Sequence, residues 1–501
     1  MKKNILLAVL AVLVVFAGTK TVFAATETSA DGNFVYEADY YAGTCKVTGY
    51  NGSLDKINIP KKIDDLKVTE VALLFPENKE AEKIENNFRY DLPDGSAGWS
   101  SANGDYMPTS VGEIVVPEGV TAFSAKVDSN NSAMILSVVK ITLPSTLKSV
   151  YIKSLGLKEL TIPGNVESME LNCLDTEKLI IESGVKKVEN CYSMYSLKEV
   201  VLPKTVKEIG YQAFDGCYNL EKIDLSNVEK IETGAFENTL ALKSVSLGDK
   251  LSSIGTLAFN WSGLTKITVP KNAVINGNAF SNCYYLESAN IKSAKTEKLD
   301  STFTGCVNLK NVTLEEGPKK LYATFRDCKA LTALVVPSTV TEITYGTFSR
   351  EARKMILAVL NPDCSLYYKK DSRGASHIEV DNSAVILGYK NSTAQDFAKN
   401  NGNKFIAFNT VTNLKAANKA KGKVNLTFKG VKGVKSYTVY RSTSAYGGFK
   451  KIGTSKTTKF TDKSAKKGTT YYYKIAISYT DSTGVKLSGI MSNAASVKVT
   501  K

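Results

Sequence analysis

The residues of this chain with chemistry to offer are eight cysteines, one histidine and forty-nine carboxylates. A Ser–His or Cys–His nucleophile needs a base, and His377 is the sole imidazole. It stands in a polar stretch with no nucleophile elbow or metalloprotease helix around it. Metal binding has as little to build on. There is no Cys-x-x-Cys pair, and Asp128-Ser-Asn-Asn-Ser132 offers oxygens without the spacing of a calcium loop. Paired carboxylates could hydrolyse glycosides. Here Glu159, Glu199 and Asp224 fall where a strand turns its side chains outward, which is ordinarily a solvated face. No catalytic, cofactor-binding or metal-ligating residue is therefore assigned.

The cysteines point to architecture instead. Cys217, Cys283, Cys306 and Cys328 each follow a phenylalanine by three residues. Those phenylalanines belong to a series, Phe214, Phe236, Phe259, Phe280, Phe303, Phe325 and Phe348, with steps of 22, 23, 21, 23, 22 and 23 residues. A fixed period of this length means one short unit stacked on copies of itself. The unit reads Phe-x-x-Cys-x-x-Leu-x-x-Ile-x-Leu, often followed by Pro; Thr239 takes one Cys slot, and the copy at Phe259 is a residue short and holds Trp261. Its Ile-x-Leu part alternates, which predicts a short strand with both apolar residues inward. Pro203, Pro270 and Pro337 sit just past that strand, and Gly210, Gly234, Gly255 and Gly277 suit the turn before each Phe. Cysteine in such a slot behaves as a small buried hydrophobe, so free thiols are expected over disulfides. Cys45, Cys173, Cys191 and Cys364 stay open, and the thiols of consecutive coils could approach one another.

A repeat array buries its apolar stripe between neighbours and leaves a regular strand face outside. The outward residue between Ile and Leu is, in successive copies, Thr142, Thr161, Ile180, Val201, Asp224, Ser246, Thr268, Asn290, Thr313 and Val335. Beside it runs a second outward row of Glu159, Lys178, Glu199, Lys222, Lys266 and Asn311. The candidate ligand-binding residues are Thr161, Val201, Asp224, Ser246, Thr268, Asn290, Thr313 and Val335. No aromatic or Arg cluster marks a hot spot among them, and an unoccupied strand surface is the alternative.

With the repeat in view, the chain resembles bacterial surface leucine-rich repeat proteins of the BspA kind, whose consensus is close to Ala-Phe-x-x-Cys-x-x-Leu-x-x-Ile-x-Leu-Pro. The resemblance runs from about Asn33 to Phe408, with clear repeats from Ile141 to Phe348. Val47 to Gly52 and Ile57 to Val71 look like the family's N-terminal cap and first coil. Gly388 to Asn400 resembles its closing helix, with Ser392 or Thr393 as cap and Phe408 closing the end. The resemblance implies a solenoid used in surface attachment or host contact, and it identifies no ligand. Residues 86–112, rich in Gly, Ser and Asp around Trp99 and Tyr106, interrupt the pattern and are read as an insertion rather than a binding loop.

Residues 411–501 differ in kind. Alternating runs at Lys423 to Phe428, Tyr437 to Arg441, Lys459 to Thr461 and Tyr471 to Tyr479, punctuated by glycines, predict a small antiparallel sandwich. It resembles a fibronectin type III domain: Ser436 to Ser442 matches the C strand and Gly468 to Ile475 the F strand, with Tyr471 at the tyrosine corner. Phe428 stands where that family often has Trp, and no Arg-Gly-Asp occurs. This segment holds 19 Lys/Arg against two acids, a charge of +17, whereas residues 25–410 hold 42 against 47, a charge of −5. Such asymmetry fits contact with a polyanion, or simply a soluble lysine-rich surface.

At the N-terminus, Lys2 and Lys3, the apolar run Ile5 to Phe16 and Val22-Phe23-Ala24 read as a secretory signal peptide. No second apolar run of spanning length follows, and no sortase-type tail is seen. Leu143-Pro144-Ser145-Thr146 is read as a repeat turn. The expected organisation is a signal peptide at 1–24, an N-terminal cap with irregular repeats at 25–140, leucine-rich repeats at 141–350, closing repeats and cap at 351–409, and the sandwich at 411–501. The fold class is mainly β: a solenoid of about 22–23 residues per coil followed by an immunoglobulin-like β-sandwich. The expected function is secreted, surface-associated and non-enzymatic binding or adhesion. The solenoid would bind an extracellular protein or glycan, and the basic domain would act as spacer or touch an anionic cell-wall polymer. No nucleic acid partner, cofactor or transmembrane span after cleavage is expected. The alternatives are an accessory of a glycan-active enzyme system and a self-associating matrix protein.

Overall fold

The computed structural model describes residues 25–75, 87–91, 97–101, 110–127, 136–344, 346–348, 354–366 and 380–501. The expected leader at 1–24, the oxygen-rich run from Asp128 to Ser132, and His377 lie outside the described residues.

The chain begins antiparallel and turns parallel. Strands Phe34–Asp39 and Thr44–Tyr50 form a hairpin, and Thr44–Tyr50 then pairs in parallel with Leu66–Phe75. Parallel pairing continues through Ala122–Val127, Ser149–Leu155 and Ser168–Cys173. Alternation along these strands sends Val71, Leu73, Phe123, Ala125, Val150 and Ile152 inward, where all are buried. Within the expected insertion, Asn87–Asp91 and Ala97–Ser101 pair as an antiparallel hairpin. Its last residues belong to the solenoid, because Ser110–Val115 already runs in register with Leu136–Thr142.

Each later coil contributes two short parallel strands. The first carries the Ile-x-Leu motif, as in Lys266–Val269, Ser288–Ile291 and Asn311–Leu314. A turn follows in which the N–H of Val206, Ala273 or Val340 bonds the carbonyl of Pro203, Pro270 or Pro337 at 3.2, 3.3 and 3.1 Å. Leu147 bonds Pro144 in the same way at 3.2 Å, so that stretch is a repeat turn. The second strand is two residues long where it holds Ile231, Ile254 or Ile275.

The coil then turns sharply around its phenylalanine. The residue two before it is left-handed in seven successive coils: Gln212, Gly234, Leu257, Asn278, Ser301, Ala323 and Gly346. The residue two after it is left-handed at Gly216, Asn238, Trp261, Asn282, Gly305 and Asp327. Flanked by these bends, the Phe backbone reaches the next coil. The N–H of Phe236, Phe259 and Phe303 donates to Ala258, Ala279 and Thr324 carbonyls at 2.7, 2.8 and 3.0 Å. Of the four glycines expected at this turn, only Gly234 needs its conformation, with φ of +65°. Gly255 serves close approach instead: a Cβ there would lie 2.4 Å from the Glu232 carbonyl carbon.

The seven rings stack in one column, with centroids 5.1–6.2 Å apart and planes within 21°. The cysteine slot lies beside them. Cys283, Cys306 and Cys328 each donate a thiol hydrogen bond, at 3.1 Å, to the carbonyl of Phe259, Phe280 and Phe303 in the preceding coil. Thr239 fills the slot by bonding its own coil's Phe236 carbonyl at 2.8 Å. All eight cysteines are free and buried. Burial pushes the Cys173, Cys217 and Cys364 thiols up to about 12, so they stay protonated and unreactive at neutral pH.

The helix Thr393–Asn401 follows the last coils, with Ser392 as N-cap and Gly402 ending it in the left-handed conformation. Thr393 does not cap it; its hydroxyl donates to the Cys364 carbonyl at 2.6 Å. Beyond it, Thr412–Ala420, Lys423–Lys429 and Lys459–Asp462 form one antiparallel sheet. Lys450–Ser455, Tyr437–Ser442, Thr470–Thr480, Lys486–Met491 and Ala495–Lys498 form a second. Val424, Leu426, Phe428, Val439, Tyr473, Ile475 and Ile477 share one core between the sheets. The Tyr471 hydroxyl accepts the Lys466 N–H at 3.3 Å, five residues upstream.

This C-terminal unit is seated on the solenoid. Its core is continuous with Ala358, Leu360, Leu387 and Phe408, and Ala358 and Leu387 are 0% and 1% exposed. The Tyr389 hydroxyl accepts the Met491 N–H, and the Tyr479 hydroxyl accepts the Asn409 N–H, each at 2.8 Å. Phe408, expected to close the solenoid, instead packs edge-on against Tyr389 within this joint.

Candidate ligand-binding faces

The expected stripe is a set of rows across parallel strands. Thr161, Ile180 and Val201 stand in register, as do Thr268, Asn290 and Thr313. Neighbouring strands are about 4.8 Å apart, so each row is a short line of small or β-branched side chains. Asp224 and Ser246 lie between the two groups, where pairing thins to the single bridge Leu225–Leu247. Both are exposed, as are Thr161, Thr268 and Thr313, while Asn290 is half-buried. The Asn290 side-chain oxygen is shut off from solvent and has no partner. The adjoining row Glu159, Lys178, Glu199 and Lys222 alternates in sign from strand to strand.

Val335 is placed differently. Its row continues through Ala358 and Leu387 to Ile406, and the C-terminal unit covers it. The strand face therefore ends before Val335, which belongs to a joint.

The second strands of the coils present another outward face, which the motif-centred reading passed over. In the middle of the array it is closed by ion pairs: Lys187 meets Glu189 at 2.6 Å and Glu208 at 3.2 Å, and Lys230 pairs with Glu232. Alternating polar residues in Ser149–Leu155 and Ser168–Cys173 were the available signal for its N-terminal part.

On the C-terminal unit the cations gather by register. Lys415 and Lys459 both stand opposite Thr427, and Lys423 and Lys429 lie on the same outward side of that central strand. The two acids offer little counter-charge. Asp462 is 3% exposed and accepts from Arg441 at 2.7 Å, Tyr473 at 2.8 Å and the Ser464 N–H at 2.9 Å. Burial alone would raise its pKa; these donors outweigh burial and hold it below the ordinary aspartate value. Asp481 Oδ1 accepts from the N–H groups of Thr483 and Val485 at 3.0 Å, and its Oδ2 is shut off from solvent.

Among the described residues no helix is long and apolar enough to cross a membrane. No curated protein matches the chain at a significant level. Among solved structures the chain is similar to a leucine-rich repeat protein from Bacteroides ovatus ATCC 8483, at 18% identity over 75% of this chain and 98% of that one, with a TM-score of 0.44. It is similar to a leucine rich cell surface protein from Faecalibacterium prausnitzii A2-165 at 14% identity, over 78% and 96% of the two chains, TM-score 0.27. It is also similar to an Fn3-like protein from Clostridium thermocellum at 32% identity, over 18% of this chain and 92% of that one, TM-score 0.16. Residues 171–287 and 252–356 match the family model described as BspA type leucine rich repeat region. Over that span, where the stacked phenylalanines lie, the chain is a repeat protein similar to the BspA type.

Proposed function

We propose that this is a secreted, surface-associated binding protein without enzymatic activity. Its solenoid offers a ligand face, and its basic C-terminal unit, of fibronectin type III kind, holds an anionic cell-wall polymer. The observation that carries the reading is the isolation of the positive charge. The unit has 19 Lys/Arg against two acids, and both acids are engaged inside it. Lys415, Lys423, Lys429 and Lys459 then face solvent together, without a carboxylate among them. A mere spacer has no need of that arrangement. The strand face supports the other half of the proposal, since Thr161, Val201, Thr268 and Thr313 stand exposed in flat rows.

The test compares the whole chain with its K415Q/K429Q/K459Q variant for retention on isolated bacterial walls across a salt series. Exposed ion pairs contribute roughly 0.2–1 kcal/mol each, so three lost contacts weaken binding by about 3- to 150-fold at low salt. The wild type should elute as salt rises and the Debye length falls to a few ångströms. Retention that ignores both salt and the substitutions refutes the electrostatic contact. Truncation at Asn409 is a poorer comparison, because it would uncover Ala358, Leu387 and Phe408.

A further inference from the structure

The N-terminal part of the second strand face differs from the rest of it. One row runs in register over five strands as Lys46, Glu70, Ala122, Ser149 and Ser168. The next row is Ala72, Ser124, Tyr151 and Glu170. Five of these nine side chains are Ala or Ser, and the result is a trough of about 430 Å³ lined by both rows and by Asn190. Lys46 and Glu70 stand at one end. At the other, Glu170 is held by the Tyr192 hydroxyl at 3.0 Å beside the half-buried Tyr151. Where this face continues into later coils, Lys187, Glu208, Lys230 and Glu232 fill the space and neutralise one another. The trough is thus a local departure from the solenoid's own pattern.

We infer that this trough binds a neutral, linear glycan lying along the solenoid axis. Three features select that chemistry. The hydroxyls of Ser124, Ser149 and Ser168 have no partner among the described residues, and they recur at the strand spacing of about 4.8 Å. One sugar unit of a β-1,4-linked chain advances by nearly that distance, so successive sugar hydroxyls meet successive strands. Tyr151 offers a ring for the apolar face of a sugar, and Glu70 and Glu170 accept from its hydroxyls. Lys46 stands beside Glu70 and pairs with Glu37 at 3.9 Å, so the trough gathers no cations that would draw a polyanion. A peptide adding itself as a strand has no place here, because the strands from Thr44–Tyr50 to Ser149–Leu155 are already paired on both sides and Ser168–Cys173 bonds onward from the Leu171 N–H to the Asn190 carbonyl at 2.8 Å.

The inference rests on the reading of the chain as a binding protein, and its test separates the two. The whole chain is titrated calorimetrically with linear β-1,4-linked glucose and N-acetylglucosamine oligosaccharides of two to six units. Affinity should rise with length and level off at about five units, the number of strands in the row. The A122Y/S149Y variant fills the floor at half-buried strand positions that favour β structure. It should melt like the wild type and lose at least 10-fold in affinity; Y151A, which leaves the floor open, should lose less. Absence of saturable binding by both oligosaccharide series, or binding unchanged in the filled variant, overturns the inference. If neither oligosaccharide series binds while the wild type is still retained on walls and released by salt, the trough fails alone and the binding-protein reading stands.

Discussion

Replacing Phe303 by alanine tests whether the ring column holds the solenoid together. Phe303 is fully buried between Phe280 at 5.7 Å and Phe325 at 5.8 Å, with planes 11° and 3° from its own. Its removal leaves a cavity between coils that cannot easily collapse, because the backbones on either side are pinned. Phe280 bonds Thr302 at 3.0 Å, Phe303 bonds Thr324 at 3.0 Å, and Gly305 bonds Arg326 at 2.8 Å. Phe→Ala in a core costs roughly 3–5 kcal/mol, least where the site relaxes, and each aromatic contact adds about 0.5–1.5 kcal/mol beyond area. Phe303 has two ring partners and a rigid frame, so about 5 kcal/mol is expected. Phe348, with one ring partner among the described residues, at 6.2 Å, should cost about 3 kcal/mol on the same grounds. Urea unfolding followed by far-UV circular dichroism measures both. A break at Phe303 should also divide one transition into two, because a one-dimensional array is coupled only through its neighbours. Equal costs at the two positions, or a loss below about 2 kcal/mol at Phe303, would refute the argument that stacking against two neighbours sets the stability.

Three further outcomes are expected. Asp462→Ala leaves Arg441 without its carboxylate partner and removes an acceptor from Tyr473, so it should destabilise the C-terminal unit by about 3 kcal/mol. In the wild type the folded Asp462 titrates below its unfolded value, so its contribution is complete above the ordinary aspartate range and is lost as pH falls below about 4. Thermal melts from pH 7 to pH 3 should show this loss in the wild type and not in Asp462→Asn. Leu257 occupies a left-handed position, at φ of +56°, that asparagine tolerates better; Leu257→Asn should raise stability by up to about 1 kcal/mol in urea titrations. A chain ending at Asn409 should self-associate in sedimentation velocity, because Ala358, Leu387 and Phe408 lose their cover; a monomeric truncation would mean that the joint contributes little.

The solenoid was legible because its signals are local and repeated. Phe, Cys, Leu and Ile mark the same four inward positions in coil after coil, and a single misread copy changes nothing. Ser392 as helix cap was legible for the same reason, as a short-range pattern. The corners were not. Glycine marks the left-handed turn at Gly234 and Gly346, but Leu257 and Ala323 hold the same conformation only because stacking against neighbouring coils imposes it. The trough was hidden for another reason. It depends on Glu70 standing beside Ala122, a pairing of residues 52 apart that crosses the 86–112 interruption. No spacing rule carries register across such a gap. Alternation makes the outward rows readable but not where they end, since Val335, Ala358 and Leu387 look like any other repeat position until the C-terminal unit covers them.

That cover bears on how the molecule is used. A tether of flexible residues would let the basic unit and the solenoid face point anywhere. Here a shared core and two tyrosine hydrogen bonds connect them, from Tyr389 to Met491 and from Tyr479 to Asn409. On the proposed anchoring of Lys415, Lys423, Lys429 and Lys459 to an anionic layer, the same contact would set the direction of the array. The covered rows at Val335 to Ile406 lie nearest the anchor, and the open rows at Thr161 to Val201 and the trough at Ala122 to Ser168 lie coils away from it. Placing the open surface at the far end suits a partner outside the layer better than a component of the layer itself. Weakening the joint, by Tyr389→Phe with Tyr479→Phe, should leave both proposed binding activities intact in solution. It should reduce capture of glycan by wall-bound protein, and unchanged capture would show that direction is of no consequence.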